Sequence, residues 1–204
     1  MWEFPDTKSE FLNRYMVTVD VGGSAPDSDW SVILVTASHP DGSLEVVAQW
    51  RGHTADHEQL AWMAERIARW YDRALLIVES NTLETHCGVE SAAANFVLDK
   101  LARARANLYR RRVPGRVSAT LESRYGFHTN VQTKGMALLH LMTMMRNGLL
   151  VERDADAVDE MRIYQKLPDG TEAAPPGSHD DMVMTRAIAA YVRQEFPLRR
   201  RAEW

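Results

Sequence analysis

The stretch Tyr15-Met16-Val17-Thr18-Val19-Asp20-Val21-Gly22-Gly23 decides how this chain is read. Its residues before Asp20 are almost all apolar, without the polar alternation of a half-exposed strand, so Tyr15 to Val19 reads as a strand buried on both faces. Asp20 then stands where the strand ends, at a sheet edge facing a cleft. Two distant stretches repeat the device: Ala74 to Thr82 (ALLIVESNT) carries Glu79 after an apolar run, and Gly177 to Ala189 (GSHDDMVMTRAIA) carries Asp180 and Asp181 where a helix starts. Carboxylates brought together at one edge repel one another unless cations lie between them. Hard oxygen donors of that kind select Mg²⁺ or Mn²⁺.

Outward from this strand, Trp30 to Ala37 and Leu44 to Arg51 read as two more, with His39-Pro40-Asp41-Gly42 supplying the turn between them. The three form an antiparallel meander. Thr54 is the expected N-cap of a helix running through Tyr71, with Leu60, Met63, Ala64, Ile67 and Trp70 at helical spacing. Leu75 to Val78 follows too closely for a hairpin, so it joins the sheet in parallel through a right-handed crossover. Beyond it the pattern predicts a helix over Val89 to Ala102, a fifth strand over Asn107 to Arg111 and a helix over Thr133 to Asn147. A short helix over Asp154 to Glu160, a strand around Met161 to Gln165 and a last helix over Asp180 to Gln194 complete the pass. Met136, Met142, Met144 and Met145 read as core packing.

At 204 residues the chain suits one domain with a sizeable core. Its apolar runs fall far short of the ~20 residues that span a bilayer, and its start lacks the pattern of a signal peptide, so the expected location is cytoplasmic. Cys87 is the single cysteine, which excludes an internal disulfide, and no Cys/His cluster has zinc spacing. A formal charge of -4 argues against nonspecific coating of nucleic acid. Locally, Arg110, Arg111 and Arg112 form a basic run suited to phosphate contact, and Lys134 is a further candidate.

A meander followed by parallel strands, with helices on both faces, is the ribonuclease H-like (RuvC-type) α/β plan. In that plan the first strand is central, so Asp20 lies beside Glu79 and the helix opened by Ser178-His179-Asp180-Asp181 supplies the remaining acids. At these residues the chain resembles the nuclease domain of the large terminase subunit of tailed bacteriophages and prophages. The matching elements, in order, are VDVGG with SDWSV, IVESNT, Gly126 with Thr133-Lys134, and RIYQKLPDGTEAAPPGSHDDMVMTRAIA; they extend from Tyr15 to about Tyr191. The resemblance implies that Asp20, Glu79 and Asp181 are the catalytic metal ligands, with Asp180 a fourth. It implies Mg²⁺ or Mn²⁺ as cofactor, two ions with DNA bound, and cleavage of double-stranded DNA during genome packaging. Its implied partners are the terminase ATPase domain, the portal and the small terminase subunit, with no membrane, in the host cytoplasm. A packaging ATPase would carry G-x-x-x-x-G-K-[ST], and none occurs here. The chain is therefore expected to be an excised domain in preference to a stand-alone nuclease, with residues 1 to 14 a leader or the remnant of an interdomain linker and residues 15 to 204 the nuclease domain.

The expected chemistry is in-line phosphodiester hydrolysis by two divalent ions about 4 Å apart, with Asp20 bridging both, Glu79 holding one and Asp181 the other. His179 is a candidate to orient water or phosphate, and Asn81, just past Glu79, to shape the cleft. The same acids also suit a junction resolvase or a transposase-type nuclease. Asp20-Val21-Gly22-Gly23-Ser24 also resembles the phosphate turn of actin-like ATPases and sugar kinases, although no second copy of that turn is present. A catalytically silent DNA-binding module is the remaining alternative. Taken singly, each acid is also an ordinary turn or helix-start residue.

Overall fold

A computed structural model of the chain describes residues 1–6, 8–22, 29–53, 56–80, 89–114, 121–167, 170 and 172–201. In chain order its first elements are β1 (Phe11–Leu12), β2 (Tyr15–Asp20), β3 (Ser31–Ser38), β4 (Leu44–Gly52), α1 (His57–Trp70), β5 (Leu75–Val78) and α2 (Val89–Arg103). Then follow β6 (Arg110–Pro114), β7 (Leu121–Tyr125), α3 (Val131–Arg146), β8 (Leu150–Val151), α4 (Ala155–Ile163), β9 (Gln165–Lys166), β10 (Glu172–Ala173), α5 (Asp181–Glu195) and β11 (Arg199–Arg200).

The main sheet has five strands in the order β5-β2-β3-β4-β8. Strands β2, β3 and β4 pair antiparallel as the expected meander, and β5 returns parallel to β2 through α1. Because successive strand residues point to opposite faces, β2 feeds two cores. Tyr15, Val17 and Val19 pack with Leu60, Ala64 and Tyr71 on one side, while Met16 packs with Leu138, Leu141, Ala187 and Ile188 on the other. Burying such side chains on both faces stabilises each by roughly 1.5–3 kcal/mol, which explains why no polar alternation appears in the sequence. Helices α1 and α5 thus cover opposite faces, and the architecture is the ribonuclease H-like plan.

Several local expectations shift. The N-cap of α1 is Asp56, whose carboxylate accepts from the N–H groups of Glu58 and Gln59 at 2.9 and 3.0 Å; Thr54 lies outside the described residues. Helix α3 begins earlier than Thr133, because Asn130 caps it and Thr133 closes the reciprocal bond of a capping box. Of its four methionines named above, Met144 is buried, whereas Met136, Met142 and Met145 are exposed. The strand expected over Met161 to Gln165 is instead the last turn of α4 followed by the two-residue β9. Only Leu108 of the expected fifth strand bridges β5, at Leu76; the chain then leaves as the hairpin β6–β7 and returns beside β5 at Phe127.

Residues expected as a linker remnant lie against the domain. The N–H groups of Trp2 and Glu3 donate to the Val47 carbonyl at 2.8 and 3.1 Å, and Tyr71 donates its hydroxyl proton to the Glu3 carbonyl at 2.6 Å. Arg14 pairs with Asp6 at 2.8 Å, and β1 pairs with β11. Among the described residues, no helix is long and apolar enough to cross a membrane.

Candidate metal centre

Parallel pairing of β2 with β5 sets Val19 opposite Val78, so the next residues, Asp20 and Glu79, leave the sheet at the same edge. The Glu79 N–H donates to the Val19 carbonyl at 2.8 Å, which holds this edge in register up to the second acid. Two glycines make room there. A Cβ on Gly22 would lie 2.3 Å from the Asp29 carbonyl oxygen, so only glycine lets the chain leaving Asp20 pass that closely beside the segment entering β3. Gly126 has φ +83°, and a Cβ there would lie 2.9 Å from the Val78 carbonyl. It brings Phe127 alongside β5, where Phe127 N–H donates to Val78 at 2.8 Å and Ser80 N–H to Phe127 at 2.7 Å.

Helix α5 delivers the other acids from across the sheet edge. The Trp30 N–H donates to the Asp181 carboxylate at 3.0 Å, tying the helix start to the chain just before β3. Asp180, the residue before the helix, lies 3.5 Å from the Lys134 ammonium of α3. The four acids named from the sequence, Asp20, Glu79, Asp180 and Asp181, therefore converge, and Lys134 joins them.

Electrostatics register the crowding. Burial pushes the Asp20 carboxyl well above the usual carboxylate range, and Glu79, Asp181, Asp180 and Asp29 each push further. Burial also raises Glu79; Asp180 and Asp181 add to this, while Thr129 and Lys134 pull the other way. Asp181 is pushed up to about 6, chiefly by burial and then by Asp29 and Asp180, against the Trp30 hydrogen bond and His179. The charged forms are strained by one another and by lost water, which is the condition a cation relieves. Oxygen donors held this way suit a hard divalent ion such as Mg²⁺ or Mn²⁺.

Sequence reasoning left out Asp29, although it stands inside the quoted SDWSV. Asp29, His179 and Asp181 each offer a donor atom within 4.8 Å of the others. His179 Nδ1 is 3.7 Å from Asp29 and 3.8 Å from Asp181, and its ring meets Trp30 edge-on. Trp30 itself stacks on His53 at 3.8 Å, with the Arg51 guanidinium 5.2 Å from its ring. Glu160, which the sequence pattern marks only as the end of a short helix, lies in α4. It is buried and pushed up to about 7 by burial, its carboxylate accepting from the N–H groups of Met182 and Val183.

The basic run divides in role. Arg111 is tied inward, donating to the Ser80 hydroxyl at 2.8 Å and to the Gly126 carbonyl at 3.2 Å. Arg110 lies over the Tyr125 ring at 4.6 Å and donates to its hydroxyl at 2.8 Å. With Arg112 they line a cavity of about 560 Å³ whose other walls include His128, Tyr191 and Phe196. Asn81 and Cys87 lie outside the described residues.

No protein-family model and no curated protein sequence matches the chain. Solved structures do. The large terminase nuclease of the thermophilic phage G20c with bound magnesium aligns with TM-score 0.62 at 17% identity, over 93% of this chain and 92% of its own. The nuclease domain of the phage P22 large terminase aligns with TM-score 0.57 at 15% identity, over 96% and 88%. The human cytomegalovirus terminase nuclease domain aligns with TM-score 0.60 at 10% identity, over 89% and 84%. At these identities the likeness establishes a shared fold.

Proposed function

We propose that this chain is the nuclease domain of a terminase large subunit, a divalent-metal-dependent endonuclease that cleaves double-stranded DNA during viral genome packaging. The observation that carries the reading is the convergence of Asp20, Glu79, Asp180 and Asp181 at one edge of this sheet, Glu79 and Asp181 buried and Asp20 and Asp180 half-buried, with their charges repelling one another. A structural module would gain nothing from such a cluster, since unpaired buried charge is costly. The fold of terminase nucleases, one of them with bound magnesium, supports the assignment.

Asp20, on an interior strand, would hold the divalent ions together with Glu79 and Asp181, and Asp180 would be a fourth ligand. The chemistry that bound Mg²⁺ or Mn²⁺ supplies at such a site is acidification of a water and charge stabilisation at the leaving 3′ oxygen. The chain's own residues bind and orient. Trp30 fixes the Asp181 carboxylate through its N–H, leaving the second oxygen for a ligand. Lys134 balances the acids and meets an incoming phosphate, and His179 is positioned to orient a water or a phosphate oxygen. Arg110, Arg112 and, through its anchored guanidinium, Arg111 give the duplex backbone a basic track. Such contacts carry no base readout, so cleavage is expected to be largely sequence-independent. The ATPase domain, portal and small subunit of the packaging machine are the proposed partners, in the cytoplasm of the infected cell.

The test is conversion of a supercoiled plasmid to nicked and linear forms with Mn²⁺, Mg²⁺ or EDTA, beside an Asp20→Asn protein. Metal-dependent cleavage that the substitution abolishes is the expected result. Equal cleavage by the variant, or cleavage in EDTA, overturns the assignment.

A further inference from the structure

The first turn of a helix leaves N–H groups without carbonyl partners, and the N-cap side chain normally accepts from those of the second and third helical residues. Three helices here follow that rule. Asp56 caps α1, Asn130 caps α3 and Asp154 caps α4, each through its own side chain. Helix α5 departs from it. Its N-cap residue is Asp180, a good capping type, yet the Asp180 side chain makes no capping bond. The N–H groups of Met182 and Val183 are instead taken by one oxygen of Glu160, from α4, at 3.0 and 3.2 Å.

We infer that Glu160 is a positioning residue: by capping α5 from a neighbouring helix, it leaves the Asp180 carboxylate to the acidic centre. The inference rests on the nuclease reading above, because it assigns Asp180 a place among the ligands. The competition is physical. An Asp at this position has two uses for its oxygens, the orphan N–H groups of its own helix or a cation beside Asp20 and Glu79, and capping turns the carboxylate back over its own helix start and away from the other acids. Glu160 removes the first use. Its placement is well supported: it is 8% exposed, and the helix it caps carries the fully buried Arg186, whose charge faces Glu160 and pairs with Glu152. With the cap filled, Asp180 turns toward Lys134, 3.5 Å away. Without Glu160, the bare N–H groups recruit the Asp180 side chain and withdraw it from the cluster.

The experiment is a calorimetric Mn²⁺ titration, without DNA, of proteins whose fold is verified by circular dichroism. Glu160→Ala is expected to weaken Mn²⁺ binding by about 10- to 100-fold, the range seen when a residue that orients a ligand is lost. Glu160→Gln, whose amide oxygen accepts the same two bonds, is expected to restore it. Asp180→Asn should weaken binding in the parent protein but add little in the Glu160→Ala background, since Asp180 has already left the site. Glu160→Leu, closer in volume, takes the place of Glu160→Ala if that variant does not fold. Unchanged Mn²⁺ affinity on removal of Glu160, or an Asp180→Asn effect of equal size in both backgrounds, overturns the inference. Asp20→Asn separates the two levels. If it too leaves binding unchanged, the metal-centre reading fails; if it abolishes binding while Glu160→Ala does nothing, only the role of Glu160 fails.

Discussion

Asp181 and Arg186 are both buried on α5, yet the charge around them is handled in opposite ways. Arg186 is fully buried and answered: its guanidinium binds the Glu152 carboxylate at 2.5 and 3.1 Å and donates to the Met182 carbonyl at 3.1 Å. Nearby, Glu45 is likewise matched, by Arg153 and by His39 at 2.9 Å. Asp181 belongs to a cluster with Asp20, Glu79, Asp180 and Asp29 that has Lys134 among its acids but an excess of negative charge. Paired buried charge completes a fold, whereas like charge gathered at a strand edge awaits a counterion. The same helix therefore carries a structural ion pair and part of the proposed metal centre, distinguishable by whether their charges cancel.

The sharpest way to break this contrast is to remove one charge from each side. Arg186→Met should strand Glu152 in the interior and destabilise the protein by about 3–5 kcal/mol in chemical denaturation. Adding Glu152→Leu should recover most of that loss, because an apolar pair of similar volume replaces the ion pair; no recovery would mean that Arg186 acts through something other than Glu152. Asp20→Asn should do the reverse. Cleavage falls by on the order of 100-fold or more, beyond what loss of an orienting residue gives, while the metal-free protein is as stable as the parent or more so. A large loss of stability in metal-free Asp20→Asn would put that cluster in the same structural class as Arg186.

Stability against pH sharpens the comparison further. Folding raises the Asp181 carboxyl from 3.8 to about 6, so the folded state holds its proton more tightly than the unfolded chain does. The stability this contributes is fully present below pH 3.8 and is lost as pH rises through about 6. Asp20 and Glu79, also raised, act in the same direction. Thermal melts of the metal-free protein should therefore show this component decreasing toward neutral pH, and Mn²⁺ should offset the decrease because it binds the deprotonated acids. A metal response as strong at pH 5 as at pH 7.5 would contradict it.

The smallest expected effect concerns the basic track. Arg112→Ala should lower the salt dependence of DNA affinity by about one unit of slope, with little change in folding. Arg111→Ala should also cost stability, because its guanidinium joins Ser80 to Gly126. Identical behaviour of the two would erase the distinction between the anchored Arg111 and the exposed Arg112.

What could be read in the sequence follows from how local its cause is. Buried strands β2, β3 and β5 show as apolar runs, and the acids that close β2 and follow β5 are conspicuous, so Asp20 and Glu79 stand out in the sequence. Asp180 and Asp181 were legible through the start of a helix. Strands of two residues, such as β8 and β9, leave no periodic trace, and the hairpin β6–β7 is written in charged residues with no apolar alternation. Asp29 and Glu160 were missed for a different reason. Each acts through a tertiary approach, Asp29 beside Asp181 and Glu160 against a helix start 22 residues away, and neither approach has a signature in neighbouring residues.

The central claim is that the uncompensated cluster holds divalent cations. Anomalous scattering from crystals soaked in Mn²⁺ tests it most directly. The account predicts a peak contacting the Asp20 carboxylate together with Glu79 or Asp181. Saturating Mn²⁺ that leaves these carboxylates without an ion, or that binds only at Asp29 and His179 without touching Asp20, would contradict it.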